Sequence, residues 1–374
     1  MKRLLFIFLI LSIKSFGQKD TEIVFNSLKE ALVNPITVKS LDVSGQNLTQ
    51  LPNEITKLIN LEKINIGSNP DLDLVQAFDI LKQLRNLNIL WLTDGEIETI
   101  PNNISELKYL VELWLDNNKL ISFPEPVKQL RNLKYLRLFS NEIKNLSFKK
   151  EELPNLIYID LCYNKFETFP VELSVLPNLK RILIWYNSIS KIPPSIKRFS
   201  DIEEINLDNN NLKSLPKKFG QLKSIKNLFL KGNKLTEKSI KPVYKLYGLT
   251  DLDLQGNDIR VLSKEIKNLI NLEQLSISDN PLTDIPVELE IIKSIQQLGI
   301  GNLHKFNWAN AFSIMEKLPS LRRVGMFKMN LPEMPLGFEK LQQVDTFWLT
   351  FNLFNNIERK RIQEMVPKAK ITFD

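Results

Sequence analysis

Few residues of this chain have side chains suited to catalysis. His304 is the only histidine and Cys162 the only cysteine in 374 residues, so a zinc cluster or a nucleophile–histidine pair could be built only once. His304 lies in an irregular stretch, and the 12 glycines are scattered through turns without forming a phosphate-binding loop. The sequence therefore predicts a protein without enzymatic activity, cofactor or bound metal.

Carboxylates at outward-facing positions are the remaining candidates for acid–base chemistry. Glu112, Asp116 and Asp160 fall on neighbouring predicted strands, where two of them could in principle act as a glycosidase-like pair. Charges of this kind are common on repeat surfaces, and no insertion forms a cleft around them. We interpret these residues as part of a binding surface.

A stronger signal is a group of aromatic and charged residues at positions predicted to face water on successive strands. Exposed Trp, Tyr and Arg dominate the energies of many protein interfaces. The predicted binding residues are Trp91, Trp114, Asp116, Tyr135, Arg137, Phe139, Tyr158, Asp160, Trp185 and Phe229. Tyr163 and Tyr186 lie one step further, near the rim, and Cys162 is interpreted as a filler.

Two other interpretations of the aromatic group remain open. Neighbouring rings could simply stack and stabilise the sheet, without any ligand. Alternatively, the rings could bind a glycan by stacking on sugar rings, while Asp116, Asp160 and Arg137 hold the hydroxyl groups. The expected partner is therefore another protein or, as the alternative, a glycan.

One repeated unit positions these residues. Residues 110–132 read L-V-E-L-W-L-D-N-N-K-L-I-S-F-P-E-P-V-K-Q-L-R-N, and the template L-x-x-L-x-L-x-x-N-x-L-x-x-φ-P-x-x-φ-x-x-L-x-N, where φ is apolar, recurs about every 23 residues. Its ninth position falls at Gln46, Asn69, Gly95, Asn118, Asn141, Asn164, Asn187, Asn210, Asn233, Asn257, Asn280, Leu303, Met329 and Asn352. About 14 repeats are therefore predicted.

Each unit predicts a strand followed by a turn and a short outer segment. In residues 113–115 two leucines alternate with an outward residue, which is the pattern of a half-buried strand. The asparagine amide that follows can satisfy turn backbone, so stacked units predict a ladder of asparagines. Proline then fixes an extended turn before a short helical segment. Because that segment is wider than a strand, the sheet should lie on the concave side.

These residues resemble the leucine-rich repeat family, in its secreted bacterial type, over about residues 38–374. The resemblance implies an α/β solenoid, a horseshoe with a concave parallel β-sheet and short helical or extended convex segments. It also implies use of the concave face to bind another macromolecule. Gly95, Leu303 and Met329 lack the asparagine, so interruptions of the ladder are expected there. Two longer units, at residues 76–84 and 310–318, predict fuller convex helices.

The two ends of the chain differ from the repeats. Residues 1–18 combine Lys2 and Arg3 with a short apolar run, which predicts a signal peptide and a secreted or periplasmic protein. Residues 19–37 are predicted to form a capping helix, because apolar residues recur at helical spacing over 20–34. The array then occupies 38–355, and 356–374 predict a closing cap made of a helix over 356–365 and an extended tail.

The charge of the chain excludes one class of partner. Without the three bases of the predicted signal peptide, the formal charge falls from +7 to about +4. Such a small excess without a clustered basic face predicts no nucleic-acid binding. We also expect no stable membrane insertion once the signal peptide is removed.

Overall fold

The structure, a computed structural model, describes residues 23–303 and 305–374. In these ranges the chain forms one sheet of 16 parallel strands whose order follows the chain. The strands are β1 (Val24–Phe25), β2 (Ser40–Asp42), β3 (Lys63–Asn65), β4 (Ile89–Trp91), β5 (Glu112–Trp114), β6 (Tyr135–Arg137), β7 (Tyr158–Asp160), β8 (Arg181–Leu183), β9 (Glu204–Asn206), β10 (Asn227–Phe229), β11 (Asp251–Asp253), β12 (Gln274–Ser276), β13 (Gln297–Gly299), β14 (Arg323–Gly325), β15 (Thr346–Trp348) and β16 (Lys370–Thr372). The predicted solenoid is confirmed. The predicted signal peptide and His304 lie outside the described residues.

Within the described ranges, short 3₁₀ segments and four α-helices connect the strands. The helices are α1 (Leu28–Ala31), α2 (Leu74–Leu81), α3 (Trp308–Glu316) and α4 (Asn356–Met365). The 3₁₀ segments are Pro35–Thr37, Asn53–Lys57, Asn102–Glu106, Glu125–Gln129, Val171–Val175, Pro194–Arg198, Lys217–Gln221, Lys241–Lys245, Lys264–Asn268, Val287–Ile291 and Phe338–Lys340. Helices α2 and α3 confirm the fuller helices of the long units. Helix α2 begins before the predicted segment because the Asp73 carboxylate accepts hydrogen bonds from the first-turn amides of Val75 and Gln76.

The apolar positions of the repeats form a continuous core between the sheet and the outer segments. Leu113 and Leu136, at the centres of β5 and β6, are fully buried, and so is Ile104 of a 3₁₀ segment. Proline holds the chain extended before that segment, as Pro101 does with φ −60° and ψ 151°. The segment therefore returns its apolar side chains to the core.

The predicted asparagine ladder is present. The Asn164 amide donates to the carbonyl oxygens of Leu138, Leu161 and Cys162 at 2.9, 3.1 and 3.2 Å, and its Oδ1 accepts from the Ile143 amide at 2.9 Å. These partners lie in its own repeat and in the preceding one. Each asparagine thus links two turns of the solenoid.

The ladder changes where the asparagine is missing. Met329 supplies a sulfur atom that lies 3.2 Å from the Leu303 amide nitrogen, so a weak acceptor replaces the carbonyl of the asparagine. At the start of the array, Gln46 Nε2 donates to the Asn26 carbonyl at 2.9 Å. Leu303 and Met329 confirm two of the three expected departures from the ladder, whereas the departure at Gln46 was not predicted.

A second ladder, which we did not predict, runs along the opposite edge of the strands. Asn155 Nδ2 donates to the Arg131 carbonyl at 2.9 Å, and Asn178 Nδ2 donates to the Pro154 carbonyl at 2.8 Å. The same bond to the preceding repeat is made by Asn60, Asn86, Asn132 and Asn271. These side chains are exposed, so the bonds compete with water and add less stability than the inner ladder.

The prediction of a helix over residues 20–34 is wrong at Val24 and Phe25, and its residues 20–22 lie outside the described residues. Val24 and Phe25 form β1, which pairs with Ser40 and Leu41 of β2. Helix α1 has only four residues, beginning after Ser27, whose hydroxyl accepts from the Glu30 amide at 3.2 Å. A strand is favoured here because β2 would otherwise present an unpaired backbone edge, which a helix cannot satisfy.

The C-terminal end follows the prediction closely. Helix α4 has the predicted bounds, and β16 adds a last strand to β15. Glu358 accepts a hydrogen bond from the Met334 amide at 2.7 Å and forms a bidentate pair with Arg361 at 2.6 Å. Among the helices of residues 23–303 and 305–374, none is long and apolar enough to cross a membrane.

Candidate functional site

The first and third residues of each strand triplet face the concave side. Because the strands are parallel and in register, Trp91 pairs with Trp114, and Arg137 pairs with Asp160. Side chains at equivalent positions of neighbouring repeats therefore stack on each other at about the 4.8 Å strand spacing. The predicted site residues are brought together in columns by this register.

The first column joins two tryptophans and one arginine. The Trp91 and Trp114 rings stack at 4.5 Å with an interplanar angle of 20°. The Arg137 guanidinium lies 4.3 Å from the centre of the Trp114 ring and its Nη2 lies 2.6 Å from Asp116 Oδ2. Both faces of Trp114 are thus occupied within the chain.

The expectation that these residues all face water is wrong for three of them. Asp116, Tyr158 and Asp160 are only 4%, 8% and 6% exposed. Tyr158 packs with Cys162 and Leu183 in a small apolar cluster on the concave side. The physical reason is that large side chains on closely spaced parallel strands cover one another. Cys162 is fully buried as a filler, and burial raises the pKa of its thiol.

Burial also determines the charge of the concave carboxylates. It raises the pKa of Asp116 to about 7, and the attraction of Arg137 only partly opposes this effect. Burial and the neighbouring acids Asp253 and Glu204 raise the pKa of Asp251 to about 7. Burial raises the pKa of Asp208 and Asp253, and repulsion between their carboxylates raises that of Asp208 further. At neutral pH this face therefore carries less negative charge than its sequence indicates.

Phe229 stands apart from the aromatic group. Its register partners are Asn206 and Asp253, and it makes no ring contact with another aromatic residue in the described part of the chain. Tyr135 is connected to the group through Tyr158, with ring centres 6.4 Å apart. The structure therefore brings nine of the ten predicted residues into one group of neighbouring side chains, of which three are buried, and leaves Phe229 outside it.

A backbone feature marks residues that the sequence analysis placed only near the rim. The residue before each ladder position has a left-handed conformation in all 14 repeats, with φ between 51° and 65°. Gly, Asn, Asp and Ser occupy ten of these positions, as expected for residues that tolerate this conformation. Tyr163 and Tyr186 occupy it in two successive repeats, at φ 53° and 51°. For a bulky residue this conformation costs about 1 kcal/mol or more.

The two tyrosines create an exposed ring cluster, which we call the aromatic rim: Phe139, Tyr163, Trp185 and Tyr186. Tyr163 and Tyr186 stack at 4.6 Å with an interplanar angle of 14°, and they are 42% and 36% exposed. Trp185 contacts both tyrosine rings at 5.0 and 5.3 Å, and Phe139 contacts Tyr163 at 5.1 Å. A left-handed position filled by tyrosine in adjacent repeats is the sequence signal that could have identified this cluster.

Three buried hydrogen-bond donors of the candidate site have no acceptor. Trp91 Nε1, Trp185 Nε1 and Arg137 Nε are inaccessible to solvent and make no hydrogen bond within the described residues. Buried donors without partners are rare in native proteins and cost about 1–3 kcal/mol each. All three side chains belong to the predicted binding residues, so this cost falls on the candidate surface. No group of three potential metal ligands occurs in residues 23–303 and 305–374.

An open solenoid with one long parallel sheet, a ladder of asparagines and an aromatic inner face defines the class of repeat scaffolds that present an extended surface. Models of the leucine-rich repeat match residues 177–235 and 271–291. A leucine-rich repeat protein of Leptospira interrogans is 30% identical over 94% of this chain and 100% of its own, with a TM-score of 0.69. The chain therefore belongs to the leucine-rich repeat family.

Other solved structures are similar in fold alone. An internalin of Listeria monocytogenes is 21% identical, covering 91% of this chain and 87% of its own, with a TM-score of 0.63. A leucine-rich repeat protein of Bacteroides eggerthii is 19% identical, covering 91% of this chain and 61% of its own, with a TM-score of 0.60. No curated protein sequence matches this chain significantly. This repeat fold is generally a scaffold for protein interaction and generally non-catalytic.

Proposed function

We propose that this chain is a non-enzymatic binding protein, secreted or periplasmic, that recognises another protein through the aromatic rim and the adjoining concave face. The single observation that carries the proposal is the placement of Tyr163 and Tyr186. Both rings are held exposed at a backbone position that disfavours them, so their presence is not explained by the stability of the fold.

The surroundings of the aromatic rim fit a protein interface. Large rings at the centre of a contact and charged pairs at its edge are the usual arrangement of a hot spot. Arg137 pairs with Asp116 on one side, and Arg181 forms a bidentate pair with Glu204 at 3.1 Å on the other. These ion pairs keep the flanking charges oriented before a partner arrives, which lowers the cost of association.

The test is capture of partners from cell-envelope and extracellular extracts by the chain without its predicted signal peptide. The informative variant is Tyr163→Asn together with Tyr186→Asn, because Asn117 and Asn209 occupy the same left-handed position with φ 54° and 52°. The substitution removes both rings while keeping a residue that this backbone accepts. We expect a protein to be retained by the unmodified chain and lost by the variant.

A matched control removes two exposed tyrosines elsewhere. Tyr109 and Tyr247 are 51% and 53% exposed and lie in turns away from the concave face, so Tyr109→Asn with Tyr247→Asn should retain the partner. Equal retention by the rim variant would overturn the proposal and favour rings that only stabilise the sheet. Retention of a polysaccharide instead of a protein, lost in the rim variant, would favour glycan binding.

A further inference from the structure

A second part of the concave face has glycine at three positions in two neighbouring repeats. Gly299 in β13 and Gly325 in β14 are register partners, and Gly325 is paired in turn with Trp348 in β15. Gly301 occupies the next concave position after Gly299. These three glycines lie far along the array from the aromatic rim, which belongs to the repeats of β6 to β8.

Aromatic rings lie over Gly301 and beside Gly325, whereas Gly299 is next to the side chains of Ser276 and Ser278. A Cβ added to Gly301 would be 2.7–2.8 Å from three atoms of the Phe327 ring, including both Cδ atoms. Because two atoms on opposite sides of the ring are equally distant, the face of the ring and not its edge covers Gly301. A Cβ on Gly325 would be 3.8 Å from Phe327 and from Trp348 Cε3. The Phe327 ring therefore lies flat on the sheet, with its other face turned to the concavity.

Phe327 and Trp348 remain half-buried, so part of each ring is open to solvent. We call the five residues Gly299, Gly301, Gly325, Phe327 and Trp348 the glycine platform. An added Cβ at Gly301 could not coexist with the present position of the Phe327 ring. Gly301 is thus required for a Phe327 ring that lies low on the sheet, in contrast to the protruding tyrosines of the aromatic rim.

The polar groups around the platform are almost all uncharged. Of the 12 concave positions in the repeats of β12 to β15, only Arg323 is charged. The side chains of Gln274, Gln297, Thr346 and Arg323 make no hydrogen bond or ion pair with another residue of the described chain. By contrast, the nine concave positions in the repeats of β9 to β11 include five charged residues, which are Glu204, Asp208, Lys231, Asp251 and Asp253.

We propose that the glycine platform binds a neutral carbohydrate, with a sugar ring lying on Phe327 and Trp348. The face of a sugar ring that carries C–H groups is flat and apolar, so it can displace water from an aromatic face of similar size. Sugar hydroxyls both donate and accept, and the free amides of Gln274 and Gln297 do the same. A neutral ligand also leaves no charge without a partner, which fits the uncharged surroundings.

This proposal concerns a different surface and a different ligand from the aromatic rim. A protein partner would be expected to find protruding side chains and oriented ion pairs, which the rim offers. The platform offers a recessed aromatic floor with free amide and hydroxyl groups. The two surfaces can therefore be tested independently in the same chain.

The experiment is binding of the folded chain to a glycan array that includes neutral and acidic oligosaccharides, followed by titration calorimetry with the neutral oligosaccharide bound most strongly. We expect Phe327→Ala with Trp348→Ala to weaken binding by about tenfold or more, as for loss of buried aromatic contacts. The matched control, Tyr109→Asn with Tyr247→Asn, should bind as the unmodified chain does. The platform variant should also retain any protein partner held by the aromatic rim.

Two further measurements cover the case in which that variant does not fold. Gly301→Ala keeps both rings but forces Phe327 away from the sheet, and it should weaken binding. Saturation-transfer NMR on the unmodified chain should show transfer from aromatic protons to sugar C–H protons. Absence of any glycan binding, binding of acidic glycans alone, or unchanged affinity in both platform variants would overturn the proposal.

Discussion

Replacing Asn164 by Ala is a direct test of how the ladder stabilises the solenoid. The asparagine makes one bond as an acceptor, from the Ile143 amide, and three as a donor, to the carbonyls of Leu138, Leu161 and Cys162. Asn164 itself is 5% exposed, and Ile143 is fully buried. The consequences of losing these bonds differ between the donor and the acceptor side.

The three carbonyls each keep another partner after the substitution. Leu138 O still accepts from Asn141, Leu161 O from Asn187, and the third carbonyl from the Ser140 amide. The Ile143 amide has no second acceptor among the described residues and would be left buried without one. An orphaned amide costs about 1–3 kcal/mol, and the small cavity adds about 1 kcal/mol. We expect Asn164→Ala to lower the free energy of unfolding by about 2–4 kcal/mol.

The control is Asn155→Ala at the end of the preceding repeat, which removes one exposed bond of the outer ladder and should cost less than about 1 kcal/mol. Urea unfolding gives the difference in stability between the two variants. Amide hydrogen exchange gives its location, because protection should be lost first around residue 143 in Asn164→Ala. Equal destabilisation by the two variants, or an unchanged exchange rate at Ile143, would refute the stabilising role assigned to the buried bonds of Asn164.

Three further predictions concern buried charge and close backbone contacts, and each is checked by thermal or urea unfolding. The pKa of Asp251 is about 7 in the folded chain and near 4 in the unfolded chain. Burial of Asp251 therefore destabilises the folded state increasingly as the pH rises from about 4 to about 7. Asp251→Asn should accordingly stabilise the protein more at pH 8 than at pH 5. Arg137→Met leaves the Asp116 carboxylate buried without its cation and should cost about 2–3 kcal/mol at pH 8, but less at pH 5, where Asp116 is protonated. Gly67→Ala places a Cβ too close to the Thr93 carbonyl oxygen and should cost about 1–3 kcal/mol.

Most of the fold could be predicted because the residues that indicate a strand and a turn recur along the array. The alternation in Leu113-Trp114-Leu115 and the amide of Asn118 indicate a strand and a turn, and the same indication recurs through the array. The residues that point inward are determined by the period of a strand, which depends only on local sequence. The C-terminal helix is also determined by nearby residues, because the Asn355 side chain caps it by accepting a hydrogen bond from the Glu358 amide at 2.9 Å.

What could not be predicted depends on neighbours that are one repeat away. Asp116 and Asp160 are outward in their own strands, but they are buried by side chains from adjacent repeats that lie about 23 residues away in the sequence. Val24 has the spacing of a helix, yet it pairs with Ser40 because β2 needs a partner on its open edge. Local patterns determine the direction of a side chain, whereas its exposure is set by what stacks on it.

The departures from the repeat are more informative about function than the repeat itself. Ten of the fourteen repeats have Gly, Asn, Asp or Ser at the left-handed position, and the other four have Tyr163, Tyr186, Lys328 and Phe351. Most concave positions carry a side chain. Tyr163 and Tyr186 depart from the first pattern at a cost in backbone energy, and Gly299, Gly301 and Gly325 depart from the second because they have no side chain. Neither departure is required for stacking, since neighbouring repeats stack without it. Each places aromatic rings at the surface instead, and these are the two places where a ligand is proposed.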